Sequence, residues 1–202
     1  NRHDPYSDIG MVSAQGGKVI NLTNSGYTSG SPRWVLDGNA ILFITERYGM
    51  RAHASWGSLN DVMLVFMNQD AYDKFRLSKE DYELQKELEK EQKSITETKK
   101  NDKKKGDNKN KSEEKKEEKT KDIIVELDNI EDRIVRLTPN SSDLGSAIIT
   151  KNGETLYYLS AFEGGYDLWK MNLRKKDTKL LHKMDAGWAN MEMDKDGKNL
   201  RS

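Results

Sequence analysis

The stretch Ala147-Ile148-Ile149-Thr150-Lys151-Asn152-Gly153-Glu154-Thr155-Leu156-Tyr157-Tyr158-Leu159 decides the fold. Two apolar runs flank an Asn-Gly pair, which reads as two strands joined by a tight hairpin, with the glycine supplying the positive φ of a type I′ turn. The second run is unbroken rather than alternating, as expected of a strand covered on both faces. The same grammar recurs around Asp37-Gly38, which precedes Ile41-Leu42-Phe43-Ile44, and around Asp196-Gly197.

Working outward from the three glycines exposes a repeat. Leu22, Leu137 and Leu181 each stand 16 residues before Gly38, Gly153 and Gly197. Asp8 and Asp167 each stand 14 residues before Leu22 and Leu181 and open an apolar run. Gly153 and Gly197 are 44 residues apart, the period of a four-stranded propeller blade. Between Gly38 and Gly153 the interval is 115 residues, 71 more than one blade needs. With Asp61 as the equivalent of Asp167, 9 of the extra residues fall in the loop before Asp61 and 62 between Asp61 and Leu137.

The complete unit therefore reads as strands at Ala147–Ile149, Leu156–Leu159, Asp167–Met171 and Lys179–Leu181, with a basic turn at Arg174-Lys175-Lys176. The expected fold class is all-β: four-stranded antiparallel β-propeller blades in an incomplete ring, interrupted by a long charged insertion. Residues 1–69 and 123–202 are assigned to blade segments and 70–122 to the insertion. Ser78-Lys79-Glu80-Asp81 has the form of a capping box, and Tyr82, Leu84 and Leu88 mark a short amphipathic helix. Lys99 to Lys121 holds no aliphatic or aromatic residue, too little apolar surface to offset the entropy of ordering, so disorder is expected there. Ile123–Leu127 and Arg133–Leu137 restore strand character.

Composition fits a core diluted by that insertion. Of 202 residues 34% are hydrophobic and 34% charged, and the mean hydropathy is −0.93. Lys plus Arg balance Asp plus Glu at 34 each, so the net charge offers no pull toward nucleic acid or an anionic membrane. The lysines of the run 99–121 are interleaved with Asp102, Asp107, Glu113, Glu114, Glu117 and Glu118 and with no aromatic residue, which favours a solvated loop over a nucleic-acid tether. No run approaches the roughly 20 apolar residues of a membrane span. The absence of cysteine excludes disulfides and thiolate metal sites but leaves periplasm and cytoplasm equally open. The chain starts without Met and stops as another repeat begins, as expected of a piece of a longer protein.

Chemistry-bearing residues are few. Nucleophilic catalysis needs a Ser or Cys beside a base, and the histidines are only His3, His53 and His182. There is no G-x-S-x-G elbow. His182 replaces the threonine of a strand-end Leu-Thr and reads as a blade-surface residue; His53, beside Trp56, reads as loop decoration. Glu192, Asp194, Asp196 and Gly197 imitate the opening of a calcium loop, but hairpin chemistry explains the turn without a metal. Gly16-Gly17 and Gly164-Gly165 lack a following helix and read as turns rather than phosphate cradles, and Trp34 and Trp169 as packing between blades. No catalytic, cofactor-binding or metal-ligating residue is assigned, and no cofactor is expected.

Several phrases together resemble the propeller of bacterial tricorn-type serine proteases: Leu22-Thr23-Asn24-Ser25-Gly26, Ser31-Pro32-Arg33-Trp34, Asp37-Gly38 and Phe43-Ile44-Thr45-Glu46-Arg47. These are shared with TolB-like and prolyl-oligopeptidase-type propellers. Gly57-Ser58-Leu59-Asn60-Asp61-Val62 and Leu127-Asp128-Asn129-Ile130-Glu131-Asp132-Arg133-Ile134-Val135-Arg136-Leu137-Thr138 resemble the tricorn type more specifically. The resemblance implies a modular, homo-oligomeric serine peptidase whose propellers frame passages for peptide toward a catalytic domain outside this chain. The expected partners are that peptide substrate and neighbouring blades of the same protein, with no nucleic acid and no membrane. The alternative is a TolB-like propeller that binds a protein.

Overall fold

In the computed structural model of the chain, residues 6–49, 57–102, 123–162, 164–188, 190–194 and 199–201 are described, and the side chains of all of these except 93–102. The chain divides into two compact units, Asn1–Phe75 with Ile124–Ser202, and Arg76–Ile123.

The larger unit is built of meanders. The first four-stranded sheet takes β3 (Ser29–Val35), β4 (Ala40–Thr45), β5 (Asp61–Phe66) and β6 (Ile134–Arg136) in that order, all antiparallel. The second takes β7 (Asp143–Ile149), β8 (Thr155–Ala161), β9 (Tyr166–Asn172) and β10 (Asp177–Ala186) in the same order. A hairpin of β1 (Gly10–Met11) and β2 (Ile20–Asn21) precedes them, and one of β11 (Glu192–Met193) and β12 (Leu200–Arg201) follows.

The repeat read from the sequence is reproduced in the pairing register. Met63 faces Arg136 in the first sheet, Trp169 faces Leu180 in the second, and Gly10 faces Asn21 in the leading hairpin. Each pair stands two residues after its aspartate and one before its leucine. At the other end of the unit, Trp34 faces Ile41, Ile149 faces Leu156 and Met193 faces Leu200. So β1–β2 corresponds to the third and fourth strands of a blade, and β11–β12 to the first and second.

The central strands carry apolar side chains on both faces because each face meets a different sheet. Ala40 and Leu42 of β4 and Val62, Leu64 and Phe66 of β5 join Leu144, Ala147, Ile149, Leu156, Tyr158 and Met171 of the second sheet in one core. The alternate residues Ile41, Phe43, Met63 and Val65 turn the other way and close on Ile9 and Leu22 of the leading hairpin. Two-residue periodicity thus sorts one apolar run into two cores.

Local geometry departs from expectation in three places. The Asn152-Gly153 turn is not type I′: Gly153 is left-handed at φ 71° while Asn152 is not, and the Gly153 amide donates to Thr150 O at 2.8 Å to close a four-residue turn. Around Asp37-Gly38, Leu36 and Asp37 are also left-handed, in a short 3-10 turn. Ile123–Leu127 forms no strand; its Glu126 amide donates to Met67 O at 2.7 Å.

The insertion opens with α1 (Gln69–Arg76), whose first turn is capped by Asn68 Oδ1 accepting the Ala71 amide at 2.9 Å. Tyr72 and Phe75 lay their rings against Phe66, at 5.7 and 5.0 Å between centroids. α2 (Lys79–Asp102) lies within the smaller unit. Ser78 caps α2, its Oγ accepting the Asp81 amide at 3.1 Å, while the Asp81 carboxylate accepts the Ser78 hydroxyl at 2.8 Å rather than the Ser78 amide that a full capping box would use. α2 is 24 residues long, not short, because Lys, Glu and Gln are good helix formers and pair along the surface, as Lys79 and Glu83 do at 3.5 Å. Its last turn takes in Lys99 to Asp102, where disorder was expected; residues 103–122 lie outside the described residues.

Candidate functional site

An aspartate held by fixed hydrogen-bond donors marks the start of the third strand in each repeat. Asp61 is fully buried at the start of β5. Its Oδ1 accepts the Thr138 hydroxyl at 2.7 Å and Arg136 Nε at 2.9 Å, and its Oδ2 accepts the Ser141 hydroxyl at 2.7 Å. Thr138 Oγ1 in turn accepts the Val62 amide at 3.2 Å. The threonine bonds have their equivalents one unit earlier: Thr23 Oγ1 donates to Asp8 Oδ1 at 2.9 Å and accepts the Ile9 amide at 3.0 Å. In the second sheet His182 stands where threonine would, and β10 is bulged there. Asp167 Oδ1 instead accepts the amides of Met184 and Asp185, at 2.7 and 2.9 Å.

The Asp185 and Met184 amides hold the Asp167 carboxyl below the usual aspartate value. Burial pushes Asp8 up, but the bonds from Asn21, Thr23 and the Ser25 amide outweigh it and leave the carboxyl lowered. Burial and the bond to Asp143 raise Tyr166. Each aspartate is an acceptor engaged by fixed donors, an arrangement suited to locking the third strand onto the end of the fourth rather than to moving a proton.

A second polar device sits at the neck of the insertion. The Arg133 side chain is buried and donates to three backbone carbonyls: Phe66 at 3.3 Å, Asp128 at 2.9 Å, and Glu126. The Gln69 amide donates to Glu126 Oε2 at 2.8 Å. The chain leaving β5 and the chain returning to β6 are thereby tied together, and the Glu126 carbonyl serves Arg133 in place of a ladder partner.

A third feature is the open edge of the first sheet. β3 pairs only with β4 among the described residues. Ser31 is left-handed at φ 54° within a register shift between Gly30 and Arg33, next to Pro32, the residue an edge strand tolerates. Trp34 is 50% exposed, whereas its counterpart Ile149 is 6% exposed. Only Trp169 of the two tryptophans packs between blades as read: it borders the core between the sheets and meets Phe162 edge-on at 5.2 Å. At the far end of β4, the guanidinium groups of Arg47 and Arg136 lie 5.5 and 5.2 Å from the Tyr48 ring.

Of the residues weighed for chemistry, His182 is exposed on β10. Asp194 Oδ2 accepts Asn199 Nδ2 at 2.7 Å, a bond that closes the β11–β12 hairpin. Among the described residues no group of three His, Asp or Glu is placed to hold a metal ion. Gly165 donates its amide to Asp185 Oδ1 at 2.7 Å in the β8–β9 turn. His3, His53, Trp56, Asp196 and Gly197 lie outside the described residues. The clamps and the arginine neck escaped the sequence reading; the signal for the clamps was the shared Asp-to-Leu offset, which had served only to mark strands.

Repeated four-stranded meanders with one shared register, stacked face to face, define β-propeller blades. No family model matches the sequence, and no curated protein matches it. Solved structures do. TolB from Acinetobacter baumannii matches over 96% of this chain and 31% of its own, with a TM-score of 0.52 and 10% identity. The tricorn protease matches over 99% of this chain and 18% of its own, with a TM-score of 0.57 and 10% identity. The chain thus spans less than a third of either, and the similarity shows the fold: a mostly β protein of propeller-type blades. No helix among the described residues is long and apolar enough to cross a membrane.

Proposed function

We propose that the chain is a non-catalytic β-propeller segment of a tricorn-like serine peptidase, scaffolding or gating the passage of peptide to a catalytic domain outside these residues, in a homo-oligomeric assembly. The observation that carries this reading is the re-entry phrase Leu127–Thr138. It is the most specific point of resemblance, and each of its polar anchors has a place in the architecture, since Arg133 ties the neck while Arg136 and Thr138 clamp Asp61. The likeness to the tricorn protease fold over nearly the whole chain supports it. The open β3 edge, with Arg33 and Trp34 exposed, supplies backbone groups and an aromatic surface to which extended peptide can add as a strand.

The test is a peptide assay on the chain itself. Labelled unstructured peptide is expected to bind, by anisotropy, and to remain intact by mass spectrometry. Cleavage that disappears in His182→Ala would overturn the reading. The likeness to TolB favours a second reading, a propeller that binds a folded protein. The reading frame that encodes the chain separates the two: a PDZ-like and a serine-peptidase module belong to the first, and their absence from the whole frame rejects it.

A further inference from the structure

The insertion helix α2 carries an apolar stripe turned away from its buried side. Tyr82 is buried and Gln85, Lys86 and Glu89 are half-buried, the i, i+3, i+4, i+7 spacing of one helix face. Leu84 and Leu88 stand one turn apart on another face, 57% and 49% exposed, and the same helical period reaches Ile95 seven residues further on. We propose that this stripe pairs with α2 of a second copy of the chain, the two helices running antiparallel about a two-fold axis. The inference rests on the insertion helix alone and not on the peptidase reading.

Charge selects both the occupant and its direction. Residues 79–91 carry six carboxylates against three lysines, and residues 92–102 three lysines against two carboxylates. The helix is acidic in its first half and basic in its second, so a copy laid antiparallel brings opposite charge to each half. A parallel copy would set every seam residue against its own counterpart, Asp81 on Asp81 and Glu91 on Glu91, with like charges held together. Antiparallel pairing with Leu84 opposite Ile95 of the copy sets Asp81 opposite Thr98 and Glu91 opposite Leu88 instead. The two Leu88 residues then flank the two-fold axis.

Such a contact is self-complementary: each copy offers the same stripe and receives the same stripe, so association stops at two. It covers two leucines and one isoleucine from each chain, far fewer apolar side chains than a permanent interface buries, and the dimer is therefore a reversible one.

Sedimentation of the full chain over a range of concentrations is expected to show a reversible dimer, and Leu84→Lys combined with Leu88→Lys to weaken it at least about tenfold. Lysine is a good helix former, so the circular dichroism of that variant should be unchanged. The chain has no cysteine, so spin labels on introduced thiols report the direction of pairing. A mixture of Lys79→Cys and Lys100→Cys copies is expected to bring its labels close together. Lys79→Cys copies alone should hold theirs about 30 Å apart along the helix axis. A monomer at every concentration would overturn the proposal and leave the stripe to a helix of another protein. Association untouched by the leucine changes would overturn it too, by assigning self-association to the blades, as would close labels between Lys79→Cys copies.

Discussion

The Thr138 hydroxyl donates to Asp61 Oδ1 at 2.7 Å, joining residues 77 apart in sequence. The bond from Thr23 to Asp8 repeats it over 15 residues. One geometry survives a difference of 62 residues in loop length, so the clamp belongs to the blade and the insertion is hung outside it. Loop entropy grows only slowly with length, which makes such an insertion tolerable provided its two ends are fixed.

Asp61→Ala is expected to destabilise the chain by about 1 to 3 kcal/mol, since it leaves the buried Thr138 hydroxyl without its acceptor while the exposed Arg136 turns to water. Thr138→Val is expected to cost about 1 to 2 kcal/mol, the loss of one buried donor and of the acceptor for the Val62 amide. Urea unfolding of both single variants and the double variant should show coupling of at least about 1 kcal/mol. Additive losses would mean that the two residues do not act as one clamp.

Arg133→Met is expected to loosen the neck of the insertion. Three carbonyls lose their donor, at a cost of about 2 to 4 kcal/mol. Limited proteolysis should then cut near Glu126–Asn129 several times faster than in the parent chain, with the blade fragments still resistant. Arg133→Lys should not rescue, because one ammonium cannot reproduce the fork of the guanidinium. Full resistance in Arg133→Lys would show that charge alone closes the neck.

Acid should unfold the blades through their aspartates. The Asp8 and Asp167 carboxyls are lowered in the folded chain from a value of 3.8. A lowered folded value means that the unfolded chain takes up protons first as pH falls, so the stabilisation is present above about pH 4 and is lost progressively below it. Urea midpoints measured from about pH 6 down to about pH 2.5 should fall, and Asp167→Asn should flatten that fall. An unchanged slope in the variant would remove Asp167 from the account.

The blade pattern was legible because a propeller repeats itself: offsets among Asp8, Leu22 and Gly38 recur at Asp167, Leu181 and, for the turn, at Gly153 and Gly197, and the registers obey them. What escaped depends on partners distant in sequence. Ile123–Leu127 has the composition of a strand, yet strand composition acts only where a ladder is free, and the side chains of Arg133 and Asn68 engage the Glu126 and Ile124 carbonyls. α2 outran its apolar residues because propensity and surface pairs carried it past Leu88. Trp34 reads in sequence like Trp169, as packing between blades; its exposure follows from which face of the first sheet has a complete neighbour.

Gly165 offers the sharpest backbone test. A Cβ there would lie 2.4 Å from Asp185 C and 2.7 Å from the Ala186 amide nitrogen, and backbone cannot swing aside as a flexible side chain can. At Gly187, only a short way along the chain, a Cβ would meet nothing within 4 Å. Gly165→Ala is therefore expected to cost about 2 to 3 kcal/mol by forcing β9 from β10 at their bulged end, while Gly187→Ala stays within about 0.5 kcal/mol or stabilises slightly by restricting the unfolded chain. Thermal unfolding of the two variants decides it. Equal midpoints would mean that the Gly165 amide is not held against Asp185 Oδ1, and that the second sheet closes its outer edge by some other contact.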